Sequence, residues 1–185
     1  MNTNVLIETD RLILREFKLN DAQAVYNFAS DVEVQEYTGD AILTKLNQAK
    51  EIIEHVWFSD YKKYGYGRWA VVYKPENKVI GFAGLKYLPE LNETDIGFRF
   101  LPEYWGIGIA TEVSREILKY GFETLKLEKI LGIVMPKNIA SFKVLEKLGF
   151  NFYKLDSYDG GGEKCNWYEI DRESYLKLYN NVSST

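Results

Sequence analysis

Apolar positions along the chain change period several times, and each change marks an element. Residues 11–17 alternate, with Leu12 and Leu14 on one face, which predicts a first strand. Asn20, with Gln23 three residues on, has the form of a capping box, and Val25, Phe28 and Ala29 follow at helical spacing. A short helix to about Ala29 is expected there. A second helix is expected from Thr44 to near Gly65, with Leu46, Ala49, Ile53, Val56 and Trp57 as its apolar stripe. The period then drops to two. Segments 68–73, 79–88 and 94–101 are β-rich and are separated by turn-like stretches at 74–78 and 89–93, so they read as an antiparallel meander closed by Pro102.

The second half of the chain alternates element types. A Gly-rich turn from Trp105 to Ala110 leads into a long helix to about Leu125, with Val113, Ile117, Gly121 and Leu125 on its buried face. A strand at 129–134 follows, then a helix from Asn138 to Leu148 stopped by Gly149 as a C′ glycine. Two strands, about 150–157 and 164–170, flank the Asp159–Gly162 turn, and Asp171 is placed to cap a final short helix. This order predicts a mixed α/β (α+β) fold with a central, mostly antiparallel sheet flanked by helices. No Ser/Gly linker, repeat or low-complexity tract divides the chain, so residues 1–185 are expected to form a single domain.

Composition removes several classes of function. The 185 residues carry 23 basic and 27 acidic side chains, a formal net charge of −4, and 46% of them are hydrophobic, enough to bury a sizeable core. An acidic balance argues against broad nucleic-acid binding. One cysteine and one histidine cannot form an internal disulfide and leave too few soft ligands for a zinc site, so no metal is expected. No run approaches the roughly 20 apolar residues that a membrane helix needs. The first twelve residues contain Glu8, Asp10 and Arg11 and lack the apolar stretch of a secretion signal, so a cytoplasmic location is the expectation.

Candidate chemistry concentrates in Trp105-Gly106-Ile107-Gly108-Ile109-Ala110-Thr111, between a strand and a helix. Glycines let successive N–H groups point outward, and the first helical turn adds unpaired donors and the positive end of its dipole, which together make an anion cradle. The competing reading is a turn that uses glycine for positive φ alone. The segment lacks the G-K-[ST] ending of a nucleotide P-loop and does not open a repeated βαβ unit, which disfavours an NTPase or a dehydrogenase.

The run from Asp95 to Thr111, with Asn138-Ile-Ala-Ser141, Lys147-Leu-Gly-Phe150 and the opening Thr9-Asp-Arg-Leu-Ile-Leu-Arg15, resembles the GNAT acetyltransferase superfamily. Within it the pattern is similar to the RimJ/RimL-type branch, whose members include N-terminal acetyltransferases of ribosomal proteins. The resemblance covers nearly the whole chain and implies the GNAT fold, a splayed strand pair at the cofactor site, and acetyl-CoA as co-substrate. It implies that Trp105, Gly106, Ile107, Gly108, Ile109, Ala110 and Thr111 hold the pyrophosphate of coenzyme A through backbone amides. The strand carrying Phe98 and Phe100 would splay from the strand at Lys129 to admit the pantetheine arm. Ser141 takes the position proposed in such enzymes to protonate the departing thiolate, and Asn138 the position near the thioester. Asp95 is the first candidate base, because this branch often carries Glu there, and Asp156 is the second. One departure stands out: Leu145 occupies the place where many GNAT enzymes carry a catalytic Tyr.

The implied partners are acetyl-CoA and a primary amine, either a protein N-terminus or a small molecule, entering between the early helices and the turn after Tyr158. Trp57, Tyr61, Tyr64, Tyr66, Trp69, Tyr153 and Tyr158 are expected to contribute to that acceptor cleft. A non-catalytic acyl-CoA-binding module is the alternative that Leu145 keeps open. A homodimer is compatible with the sequence. His55 reads as an exposed helix residue, Cys165 as a small buried hydrophobe and Gly160–Gly162 as a hairpin tip.

Overall fold

The computed structural model describes residues 5–158 and 162–180. Its strands are β1 (Val5–Glu8), β2 (Leu12–Arg15), β3 (Arg68–Tyr73), β4 (Lys78–Leu88), β5 (Glu93–Phe100), β6 (Lys129–Val134), β7 (Asn151–Ser157) and β8 (Lys164–Asp171). They form one eight-stranded sheet in the order β1-β2-β3-β4-β5-β6-β8-β7, antiparallel throughout except between β5 and β6. The predicted meander is β3–β4–β5. The mixed, mostly antiparallel fold class is as the sequence patterning indicates.

Helices cover both faces. On one lie α1 (Ala22–Ala29), α2 (Val32–Gln35), and a continuous helical run of α3 (Leu46–Glu51), a π turn (Ile52–Trp57) and α4 (Phe58–Tyr64). Phe82 of β4 meets Phe28 at 5.9 Å and Trp57 at 6.0 Å between ring centroids, and Tyr87 of β4 meets Tyr64 at 4.9 Å. The other face carries α5 (Ile109–Lys119), continued by a π turn (Tyr120–Thr124), whose Tyr120 meets Trp69 edge-on at 5.3 Å. Next to α5 lie α6 (Ile139–Lys147) and α7 (Arg172–Asn180), the latter stacking Tyr175 on Phe122.

Four local expectations are corrected. The strand at Leu12 is the second, because Val5–Glu8 pairs with it as β1. Asn20 does not cap: a 3-10 turn at Leu19–Asp21 precedes α1, and the Asp21 carboxylate reaches back to accept from the Lys18 amide at 2.8 Å and from both terminal nitrogens of Arg15 at 2.6 and 2.8 Å. The charged partner six residues back, at the end of β2, fixes that carboxylate, and the uncharged Asn20 has no such support. Val56 is exposed rather than part of the apolar stripe, since the π turn at Ile52–Trp57 shifts the helical phase. The short helix α2 was not signalled, and Asp31 caps it through the Val34 amide. Two C- and N-cap expectations hold: Gly149 has φ 87°, and Asp171 accepts from the Ser174 amide at 2.7 Å. His55 is exposed and Cys165 is buried, while the Asp159–Gly162 turn lies mostly outside the described residues.

Candidate active site

The site is built where β5 and β6 part. Their parallel register holds a single residue pair, Asp95 with Leu131. Past that pair the strands diverge. The Leu101 amide donates to Ile80 of β4 at 3.0 Å, so strand alternation turns the amides and carbonyls of Phe98 and Phe100 away from β4, toward the gap. Trp105 Nε1 takes up the Phe100 carbonyl at 2.7 Å. The rings of Phe98 and Phe100 point to the α5 face and stack at 6.4 Å, so these two residues offer the gap their backbone and not their side chains.

At the open end of the gap the chain runs through Trp105 and Gly106 to the start of α5. Gly106 and Gly108 have φ 74° and 85°, a region where a side chain is strained, and nothing lies within 4 Å of a Cβ built at Gly106. From Gly106 to Thr111 no backbone amide donates to a carbonyl among the described residues, and the first helical bond is Glu112 N to Gly108 O at 3.0 Å. Ile109 is buried and anchors the turn, whereas Ile107 and Trp105 stay exposed. The result is a row of outward amides at a helix N-terminus, the chemistry that a diphosphate needs.

A latch from the opening motif holds this turn. Arg11 donates through Nη1 to the Ile107 carbonyl at 3.0 Å and through Nε to Glu112 at 2.8 Å, and the Thr9 hydroxyl donates to the other Glu112 oxygen at 2.6 Å. Burial raises the Glu112 pKa, but the Thr9 hydroxyl and the Arg11 guanidinium outweigh it and hold the carboxyl below its usual range. The neutralised Glu112 therefore does not set a bare negative charge beside the cradle.

Asn138 and Ser141 come together at the start of α6, where Asn138 Oδ1 accepts from the Ser141 amide at 3.0 Å. Leu145, one turn on, does not face the gap. It is buried over Gly132 of β6 so closely that a Cβ at Gly132 would lie 2.6 Å from Leu145 Cδ1. Asp156 is exposed and tied to Lys154 at 2.8 Å, which pulls its pKa down.

Asp95 lies on the opposite face of β5 from Phe98, and there the structure shows what the sequence reading missed. Arg68, Gly84 and Gly97 are register neighbours across β3, β4 and β5. With two glycines beside it, the Arg68 side chain lies flat across the sheet. Nη1 donates to the Gly84 carbonyl, and Nη2 to both Asp95 oxygens, at 3.0 and 2.9 Å. One residue row further, Arg99 sits opposite Phe82, with its guanidinium 5.1 Å from the ring centre and Nη2 2.7 Å from Asp40 Oδ2. Tyr158 stacks with Trp167 at 6.2 Å; burial first, then the charge of Asp95, push its phenol up. The available signal was glycine inside two strands, which marks close approach by another group.

The expected aromatic cleft is not assembled. Trp57 is buried against Phe17 at 4.0 Å, Trp69 lies on the α5 face, Tyr61 donates to the Arg68 carbonyl, Tyr66 binds Thr94, and Tyr64 packs on Tyr87. Long apolar rings on a sheet and on its covering helix are drawn into core packing first. Tyr158 is half-exposed, and its phenol feels the charges of Asp95 and Arg68. Among the described residues no cluster of three or more His, Cys, Asp or Glu is placed to hold a metal, and no helix is long and apolar enough to cross a membrane.

Residues 11–151 match the family model described as "Acetyltransferase (GNAT) domain". The chain is 34% identical over 146 residues to the "Uncharacterized N-acetyltransferase YoaA" of Bacillus subtilis (strain 168), covering 78% of this chain and 82% of that one. A shorter stretch of 73 residues is 37% identical to the spermidine N(1)-acetyltransferase of Escherichia coli (strain K12), covering 37% of this chain and 39% of that one. Among solved structures, a GNAT-family acetyltransferase from Bacillus anthracis superposes with TM-score 0.77 at 28% identity, over 90% of this chain and 98% of that one. The fold also matches spermidine N-acetyltransferase from Vibrio cholerae, solved with CoA and spermine, at TM-score 0.74 and 19% identity, over 91% of this chain and 99% of that one. The chain thus belongs to the GNAT acetyltransferases, a family of acetyl-CoA-dependent acyltransferases.

Proposed function

We propose that residues 1–185 act as one cytoplasmic acetyltransferase domain of the RimJ/RimL type, moving an acetyl group directly from acetyl-CoA to a primary amine. The observation that carries this reading is the alignment of the unpaired amides of Gly106–Thr111 with the gap between β5 and β6. The turn holds the pyrophosphate, and the backbone of Phe98 pairs with the pantetheine arm. The acceptor approaches from the opposite face, where Asp95 stands. Both a protein N-terminus and a small-molecule amine fit this description, and the spermidine acetyltransferases among the similar proteins support the small molecule.

In this reading the amine nitrogen attacks the thioester carbonyl, and a backbone N–H in the gap steadies the oxyanion. The C–S bond breaks as the intermediate collapses. Ser141 delivers a proton to the departing thiolate, and Asn138 orders the first turn that carries it. The amine's proton leaves to water and on to Asp95, whose carboxylate faces are partly taken by Arg68. Among the described residues no nucleophile paired with a base favours an acyl-enzyme. Incubation with acetyl-CoA and a panel of amines, scored by free thiol release, tests the reading. Turnover on at least one amine is expected, with coenzyme A raising the melting temperature by mass action. Tight acetyl-CoA binding without turnover on any amine would establish the non-catalytic module instead.

A further inference from the structure

Arg99 is a guanidinium in search of a second partner. Its side chain is only 14% exposed, yet of its donors just Nη2 is engaged, by a carboxylate on a loop residue, Asp40, that is itself 64% exposed. The remaining guanidinium nitrogens make no hydrogen bond among the described residues, and none is sealed from solvent. Arg68 differs: its terminal nitrogens are spent on Gly84 and Asp95. Arg68 also adds a second positive charge over the same Phe82 ring, at 5.9 Å against 5.1 Å for Arg99. The Arg99 end of this face, beyond the last β5–β6 pair, therefore offers unspent donors to an incoming anionic group.

Spacing sets what that group belongs to. Asp95, Gly97 and Arg99 alternate onto one face of β5, so Asp95 and Arg99 stand on either side of the glycine, each roughly 7 Å along the strand. The Asp40 loop reaches across the gap as well: a Cβ built at its Gly39 would lie 3.9 Å from Met135 Cε, just past β6. We infer that the acceptor is an aminocarboxylate, an amine whose carboxylate replaces that of Asp40 on Arg99 while its nitrogen lies toward Asp95 and the thioester. Planar, fork-like donors are suited to a carboxylate. The exposed Asp40 regains water when it swings out, and the incoming carboxylate keeps the buried guanidinium paired throughout. Asp95 and Asp40 give a polyamine little extra attraction, because each is already paired with an arginine.

This inference rests on the acetyl-transfer reading, and matched acceptors separate the two. Thiol release is measured with the standard amino acids, with their α-carboxamides and with spermidine, for the wild type and for Arg99→Gln, Arg99→Lys and Asp40→Asn. The wild type should prefer the best amino acid over its own amide by about tenfold or more in kcat/KM, the range for a hydrogen bond to a charged group. Arg99→Gln should remove that preference mainly through KM while leaving amide turnover and coenzyme A affinity within about twofold. Arg99→Lys should restore it in part. Asp40→Asn should lower KM for amino acids and leave the amides unchanged, which a merely structural role for the pair would not produce. Turnover of spermidine or amides with no preference for the carboxylate would overturn this inference and leave acetyl transfer standing. An unchanged preference in Arg99→Gln would overturn it too. No turnover of any amine would overturn both.

Discussion

The packing of Arg68 across two glycines makes Gly97→Ala an informative change. A Cβ at residue 97 would lie 2.5 Å from Arg68 Nη2, 2.6 Å from Cζ and 2.9 Å from Nη1. Ordinary contacts need about 3.5 Å, so the guanidinium must lift by about 1 Å. That stretches the Nη2 bonds to Asp95, at 3.0 and 2.9 Å, beyond useful length. The displaced groups are the far end of a flexible side chain, so the backbone stays put. The cost is that of a weakened charge-assisted bond with partial recovery by water, about 1–2 kcal/mol. For a chain of this size the melting temperature should fall by roughly 2–8 °C. Gly84→Ala provides the contrast. There the new Cβ would meet the Gly67 carbonyl oxygen at 2.3 Å, a backbone atom that cannot step aside, and a loss of about 3 kcal/mol or more is expected.

Thermal unfolding of a double-mutant cycle isolates the contact. In an Arg68→Ala background the obstacle is gone, so Gly97→Ala should cost less than about 0.5 kcal/mol. Acetyl transfer should drop in Gly97→Ala and in Arg68→Ala alone by similar factors, and no further in the double variant, because both release Asp95. Equal destabilisation by Gly97→Ala in the two backgrounds would refute the reasoning. It would mean that the glycine is required by the strand itself and not by the arginine lying on it.

Three further outcomes concern the proposed cofactor end. Because the Glu112 carboxyl titrates below its usual value in the fold, its contribution is present above the unfolded pKa near 4.5 and is lost as pH falls through the lower folded value. The melting temperature of Glu112→Gln should therefore trail the wild type at pH 7 and converge with it below about pH 4, as followed by unfolding scans across that range. At the start of α6, Asn138→Ala should cost about 1 kcal/mol through the lost cap. Ser141→Ala should leave the melting temperature nearly unchanged and lower kcat by about a hundredfold; an unchanged kcat would hand the proton-donor role to water.

The legibility of this protein in its sequence divides along locality. Strand alternation, the Gly149 stop and the Asp171 cap are decided within a few residues, and those expectations hold. Asn20 failed because its competitor, Asp21, was strengthened by Arg15 from the preceding strand. A cap rule that sees only the helix has no term for that partner. Val56 failed because the π turn adds a residue to the helical repeat, and the apolar pattern on both sides is compatible with either phase. The open turn proposed for the cofactor was legible as a turn for the same reason as the caps: its glycines, small residues and following helix are contiguous from Trp105 to Thr111.

The Arg68–Asp95 and Arg99–Asp40 face, proposed for the acceptor, was not contiguous, and that is why it escaped. Arg68 and Asp95 are 27 residues apart, and Arg99 and Asp40 are 59 apart. Each pair is an unremarkable set of surface charges until the register of three strands is known. Once β3, β4 and β5 are aligned, the two strand glycines acquire a reason, since Gly84 and Gly97 clear the path that Arg68 takes to Asp95. The same alignment reassigns the abundant aromatics. Phe82, flanked by Phe28 and Trp57, is the apolar floor under two guanidiniums and not the wall of an aromatic cleft. Selectivity on this face is then a matter of charge rather than of ring stacking. A search for acceptors should accordingly vary charge at fixed size before it varies size.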